Sequence, residues 1–319
     1  MEEQVQKLRI DVSIVIINYY STELLEGCLY SIYKHTRGIN FEIILVDNGS
    51  VAGELENFLT KYPGIKLIKN NTNNGFGAAN NQGVELANGK YLLFLNNDTL
   101  LQENSIKQVF DYAESKKNNT IIGCKLLNED KSIQKSVFDF PTLANVFTSN
   151  FFLYLLFPKS KYFNKYHLMN KGINRITEVE VVTGAFLFLP KTTFTMLGGF
   201  DERFFFYMDE TDLCYRHKQN DRKVIYYPET SVIHFKGKSA NGESWFKNKY
   251  QSISTIKFFQ KHFTGLKYFL LLFFHYTGII FRVPLFFISG ILLMKKDLVK
   301  RSLYYVRLIF VCPANEFKS

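Results

Sequence analysis

The chain is short of cysteine, and the four it has, Cys28, Cys124, Cys214 and Cys312, stand far apart with no CxxC pair. That excludes a zinc knuckle and a disulfide framework and fits a reducing, cytoplasmic setting. No GxGxxG follows the first apolar run, VSIVIIN, which argues against a dinucleotide oxidoreductase. Internal repeats and low-complexity linkers are also missing. No signal peptide is expected, because the N-terminal MEEQVQKLRI is charged and passes straight into that run. Acidic residues are scarce in one region only: residues 236 to 319 hold 3 Asp and Glu against 14 Lys and Arg, whereas residues 1 to 235 hold 26 against 25. The net charge of +10 therefore belongs to the tail.

What is present is a core-forming chain of 319 residues, 46% hydrophobic, enough for one large or two modest domains. Its first half alternates apolar, β-branched runs with segments of helical spacing, the mark of an α/β sheet. Val12 to Asn18 reads as a buried strand, and Leu24, Leu25, Cys28, Leu29 and Ile32 recur at helical spacing after Ser21 and Thr22. Two later runs, EIILVDNGS and YLLFLNNDT, end in Asp47 and Asp98 beside amides. In an open α/β sheet ligands sit outside the carboxyl ends of the strands. Two acids delivered there suit a phosphate-bearing ligand that brings a divalent cation. Taken alone, Asp-Asn-Gly-Ser is also an Asx-turn, and Asn-Asn-Asp-Thr a solvated turn with Asp98 or Thr99 as a helix N-cap.

From Phe138 to Lys171 aromatic and basic residues dominate without a clear period, which reads as a long excursion. Strand patterns return at EVEVVTGAFLFLP and at KVIYYPETSVIHFKGKS, with the acidic loop DERFFFYMDETDLCYRHKQN between them entering a helix.

The ordered blocks SIVIINYYSTELLEGCLYSI, EIILVDNGS, NNGFGAANNQG, GKYLLFLNNDT, VVTGAFLFLP, GGFDERFFFYMDETDLCYR and HFKGKS resemble the family 2 glycosyltransferases, especially rhamnosyltransferase-like bacterial members, over residues 12 to 239. The resemblance implies a GT-A (Rossmann-like) nucleotide-diphospho-sugar transferase fold. It also implies inverting transfer from a nucleotide-diphospho donor, with Mg²⁺ or Mn²⁺. It places Asn18, Asp47, Asn48, Asn74, Gly75, Gly77, Asn97 and Asp98 on the donor side. Asp98 and His234 would hold the metal, although Asn96 and Asn97 stand where acids complete the usual motif. Thr183, Gly184 and Asp212 fall on the acceptor side. The general base maps to Glu210, with Asp209 the alternative because the usual Glu-Asp order is reversed here. The domain expected over 1–240 has a donor half at about 10–125 and an acceptor half at about 126–240, followed by a mostly helical apolar region over 241–319.

In that last region Tyr268 to Met294 is apolar but broken by His275, Arg282 and Pro284. A spanning helix needs about 20 apolar residues and a central arginine is costly in lipid. A pair of interfacial or re-entrant helices is expected, with lysines at both ends drawn to anionic headgroups. Peripheral or monotopic attachment to the inner, cytoplasmic leaflet follows, and no nucleic-acid partner. A buried hairpin or a homo-oligomer interface are the other uses of such a stretch. The acceptor expected is a glycan or lipid-linked sugar in surface polysaccharide synthesis, and dTDP-rhamnose is one candidate donor. The rival reading is a catalytically weak nucleotide-sugar-binding or scaffold protein.

Overall fold

The computed structural model describes residues 9–19, 21–50, 55–116, 119–157, 159–160, 163, 173–235 and 245–311. The chain forms two compact units. One comprises Met1–Phe138, Gly172–Glu202 and Asp209–Ala240; the other comprises Asp139–Lys171, Arg203–Met208 and Asn241–Ser319.

The first unit is built on β1 (Val12–Asn18), α1 (Thr22–His35), β2 (Phe41–Asn48), α2 (Glu56–Lys61), β3 (Lys66–Asn70), α3 (Phe76–Glu85) and β4 (Tyr91–Asn96). β5 (Thr99–Leu101), α4 (Ser105–Lys116), β6 (Ile121–Leu127), β7 (Ile133–Gln134) and β8 (Val137–Phe138) follow. The sheet runs β3-β2-β1-β4 with all four strands parallel. Val12, Ile14, Val15 and Ile16 in β1, and Leu92, Leu93 and Phe94 in β4, are fully buried. Strands covered on both faces are apolar at nearly every position, which is why these runs do not alternate. Each such side chain contributes roughly 1.5–3 kcal/mol by leaving water. On α1 the buried Leu25, Cys28, Leu29 and Ile32 follow the 3.6-residue period and cover one face of the sheet.

In the second unit, α5 (Leu143–Asn150) and α6 (Leu153–Leu156) give helical structure to the start of the excursion. Thr142 caps α5 in a capping box with Asn145. Most of that excursion beyond Ser160 lies outside the described residues. Back in the first unit, the segment after Arg175 is split into β9 (Thr177–Val179), β10 (Val181–Val182) and β11 (Phe186–Pro190). α7 (Lys191–Met196), α8 (Asp209–Lys218) and β12 (Val224–His234) complete it, and the sheet continues β4-β11-β6-β12-β5.

The second unit closes with α9 (Trp245–His262), α10 (Gly265–Leu292) and α11 (Lys296–Ile309). Here the structure corrects the expected break at Arg282 and Pro284, since α10 is one continuous helix of 28 residues through Pro284. The arginine thought to interrupt it faces the unit's interior. Arg282 Nη1 donates to Asn150 Oδ1 (3.0 Å) and Nη2 to Ser149 O (3.1 Å), with the guanidinium over the Phe152 ring. A charge satisfied within the protein need not break the helix. Leu266, Phe269, Phe273, Ile280, Ile288, Ile291 and Leu292 remain exposed on its other face.

Candidate active site

The strand order β3-β2-β1-β4 reverses direction at β1, so the crevice beyond the carboxyl ends of β1 and β4 is the sheet's topological switch point. Side-chain amides and a carboxylate line it in series. Asn97 Nδ2 donates to Asn18 Oδ1 (2.8 Å), and Asn18 Nδ2 to Ser50 Oγ (3.2 Å). The Ser50 backbone N–H donates to Asp47 Oδ1 (3.0 Å), which is the Asx-turn legible in the sequence. Asn48 is committed to the neighbouring loop: its Nδ2 reaches Asn73 Oδ1 and Gly75 O, and its Oδ1 accepts from the Asn74 N–H and Asn70 Nδ2. Asn48 therefore shapes the loop that carries the exposed Asn74 into α3. Gly75 takes φ +87°, open to glycine at little cost.

Asp98 is 3% exposed and leads into the short strand β5, so neither a solvated turn nor a helix N-cap forms there. β5 pairs antiparallel with the end of β12, Thr99 opposite His234. That pairing brings His234 Nε2 to 3.2 Å from Asp98 Oδ1. Asn96 Nδ2 lies 3.3 Å from the same nitrogen, and His234 Nδ1 lies 2.6 Å from Gln134 Oε1. A carboxylate oxygen and an imidazole nitrogen side by side are a donor set that suits Mn²⁺ and accommodates Mg²⁺ less well. Among the described residues no group of three or more His, Cys, Asp or Glu gathers. The remaining ligands of any cation here would be diphosphate oxygens and water.

The acidic segment opens α8. Tyr207 and Met208 hold left-handed backbone at φ +68° and +66°, a conformation that costs non-glycine residues about 1–3 kcal/mol each and concentrates at functional sites. Asp209 follows, 1% exposed and set against the first turn of α3. A Cβ on Gly77 would lie 2.8 Å from Asp209 Oδ1, so the glycine there makes room for this carboxyl. Neither Asp209 oxygen makes a well-formed hydrogen bond, although the Gly77 and Asp209 backbone N–H groups lie near enough to favour its charge weakly. Burial, then Glu210 and Asp212, drive its carboxyl well above the usual range.

Glu210 is partly exposed. Its carboxyl is raised by desolvation, eased by the N–H groups of Glu210 and Gly184. The Gly184 turn is tied to the sheet because the Asn96 N–H donates to Ala185 O (3.2 Å). Gly184 also faces Phe76 at a distance that leaves little space for a Cβ, and the adjacent Thr183 is partly exposed. Asp212, expected on the acceptor side, is turned into the core. It is fully buried and accepts from Arg216 Nε (2.7 Å), so it braces the helix start.

Two contributors went unread in the sequence. Gln134 sits in a two-residue strand with no motif around it. Asn81 on α3 clamps the segment before the acidic loop by accepting from the Phe200 N–H and donating to Phe200 O.

The model of a family described as glycosyl transferase family 2 matches residues 13–175. The chain is 28% identical over 204 residues to rhamnosyltransferase WbbL of Escherichia coli K12, covering 61% of this chain and 73% of that protein. It is 25% identical over 237 residues to N-acetylglucosaminyl-diphospho-decaprenol L-rhamnosyltransferase of Mycobacterium tuberculosis H37Rv, covering 71% and 76%. Among solved structures, a crystal structure of GalNAc-T7 with UDP, GalNAc and Mn²⁺ superposes with a TM-score of 0.52 at 15% identity. The superposition covers 81% of this chain and 52% of that one, and at such identity it speaks for the shared α/β fold alone.

Proposed function

Because the chain belongs to glycosyl transferase family 2, we propose that this enzyme moves a sugar, with inversion, from a nucleotide-diphospho donor in the β1/β4 crevice to a glycan or lipid-linked acceptor during synthesis of a surface polysaccharide. The observation that carries the reading is the pairing of Asp98 with His234 at the end of β4, the strand to which the Ala185 carbonyl beside Gly184 is also bonded. Glu210 takes the acceptor hydroxyl's proton while that oxygen bonds to the anomeric carbon and the diphosphate leaves with its bonding pair. Its partial exposure supports it over the enclosed Asp209. Asn18, Asp47 and Asn97 line the nucleotide side. A divalent cation held by Asp98 and His234 would offset charge on the departing diphosphate.

Two of the relatives carry rhamnosyltransferase names, so dTDP-rhamnose leads the donors to screen. Slow hydrolysis of a matched donor in water is the expected result. A panel in which donors bind and none turns over would favour the scaffold reading instead.

Nucleoside diphosphate binding is expected to tighten with Mn²⁺ or Mg²⁺, and Asp98→Ala to abolish that enhancement. Calorimetry with and without metal reads it. An equal metal effect in the variant would remove Asp98 from the cation site.

We further infer that the second unit rests on the cytoplasmic face of an anionic membrane. α10 is long and apolar enough to cross a bilayer by length and composition, yet the basic cluster Lys295, Lys296, Lys300 and Arg301 follows the exposed Leu292, Leu293 and Met294 directly. That order suits a helix pair lying at headgroup depth. The full chain should sediment with phosphatidylglycerol vesicles, and salt should weaken the binding only in part. Basic residues contribute about 1 kcal/mol each near such a surface and are screened, whereas apolar burial is not. Protein left in the supernatant would turn this face towards a second copy of the chain.

A further inference from the structure

Gln134 is 5% exposed and makes three polar contacts. One of them is to His234 O at 2.9 Å, a carbonyl that can only accept, so the Gln134 nitrogen must face it. The same nitrogen reaches Asn128 Oδ1 at 2.8 Å, and Asn128 Nδ2 in turn donates to Ser132 Oγ. Gln134 Oε1 is therefore the atom 2.6 Å from His234 Nδ1. An amide oxygen there requires Nδ1 to carry the proton, and a neutral ring then leaves Nε2 as a bare lone pair. That lone pair receives a long contact from Asn96 Nδ2 (3.3 Å) and stands 3.2 Å from Asp98 Oδ1. Side by side, the ring nitrogen and the carboxylate oxygen form a two-atom donor set for a cation.

We propose that Gln134 is the positioning residue of the cation site: it holds His234 in the Nδ1–H tautomer and aims Nε2, together with Asp98, at one divalent ion. Histidine ligands are commonly oriented in this way by a second partner on the far ring nitrogen. The proposal rests on the assignment of Asp98 and His234 to a metal, given above. It adds a residue with no ligating role of its own, supplied by a strand distant in sequence from both ligands.

Two measurements test it on the full-length chain. Nitrogen-15 NMR of the metal-free protein above neutral pH, with the His234 signal assigned by its loss in His234→Asn, should show the Nδ1–H tautomer. Gln134→Met, close in length but unable to accept, should show a mixture or the Nε2–H form. Mn²⁺ binding followed by electron paramagnetic resonance should then weaken by about 10- to 100-fold in Gln134→Met, with the metal-free melting curve checking that the variant folds. An Nε2–H ring in the wild-type chain overturns the proposal, and it does so whether or not any variant folds. So does wild-type Mn²⁺ affinity in Gln134→Met when His234→Ala has lost it. If His234→Ala itself binds Mn²⁺ like the wild type, the metal assignment is what fails.

Discussion

Glu210→Gln is expected to lower kcat by about 10²- to 10⁴-fold with donor affinity nearly unchanged, because a general base acts on the acceptor and the amide is nearly isosteric. Desolvation raises the Glu210 carboxyl. The acid limb of the wild-type kcat/KM profile should consequently lie above the ordinary carboxylate range and vanish in the variant. The same shift bears on folding. A carboxyl raised in the folded state binds its proton more tightly there than in the unfolded chain, so its stabilising effect is full below the unfolded value and is lost as pH rises through the folded one. At neutral pH the uncharged glutamine removes that liability, and Glu210→Gln should melt no lower than wild type. Steady-state kinetics on Glu210→Gln and Asp209→Asn side by side decide the register. Crippled turnover in Asp209→Asn with near-normal turnover in Glu210→Gln would move the base by one residue.

Arg216→Met is expected to destabilise the chain by about 3–5 kcal/mol, the usual cost of removing one partner of a buried ion pair. Asp212 is fully enclosed and would keep its charge demand beside Asp209 and Glu210. Arg216 also donates to Leu197 O and to Gly199 O (2.8 Å), closing the turn in which Gly198 and Gly199 both take φ +74°. An exposed pair of the same spacing would be worth less than about 1 kcal/mol. Denaturant midpoints at constant slope separate the two cases. The double variant Asp212→Leu, Arg216→Met should recover a good part of the loss, because the stranded charge is gone. A single-variant loss under 1 kcal/mol would mean that Asp212 is not held by Arg216 in the way described.

Much of this chain is local physics written along the sequence. The apolar runs at Val12–Asn18 and Tyr91–Asn96 read as doubly covered strands, and the acids and amides at strand ends pointed to the crevice beyond them. The Asx-turn at Asp47 and the 3.6-residue stripe of α1 are of the same kind, since each depends on neighbours a few positions away. The family resemblance named Asp98 and His234 together, but the strand pairings that join distant segments were not legible. Asp98 reaches His234 only because β5, three residues long, adds to the end of β12, and nothing within β5 announces its partner. Gln134 enters the site through β7 in the same manner. For Asp212 the partner was local, since Arg216 stands one helical turn away, and what the sequence did not carry is that packing encloses the carboxylate completely. Arg282 read as a break in an apolar stretch until Asn150 and Ser149 satisfied it within the unit. Backbone periodicity is set residue by residue, whereas the partner of a buried charge is chosen by whichever segment the fold delivers to it, and only the tertiary structure carries that choice.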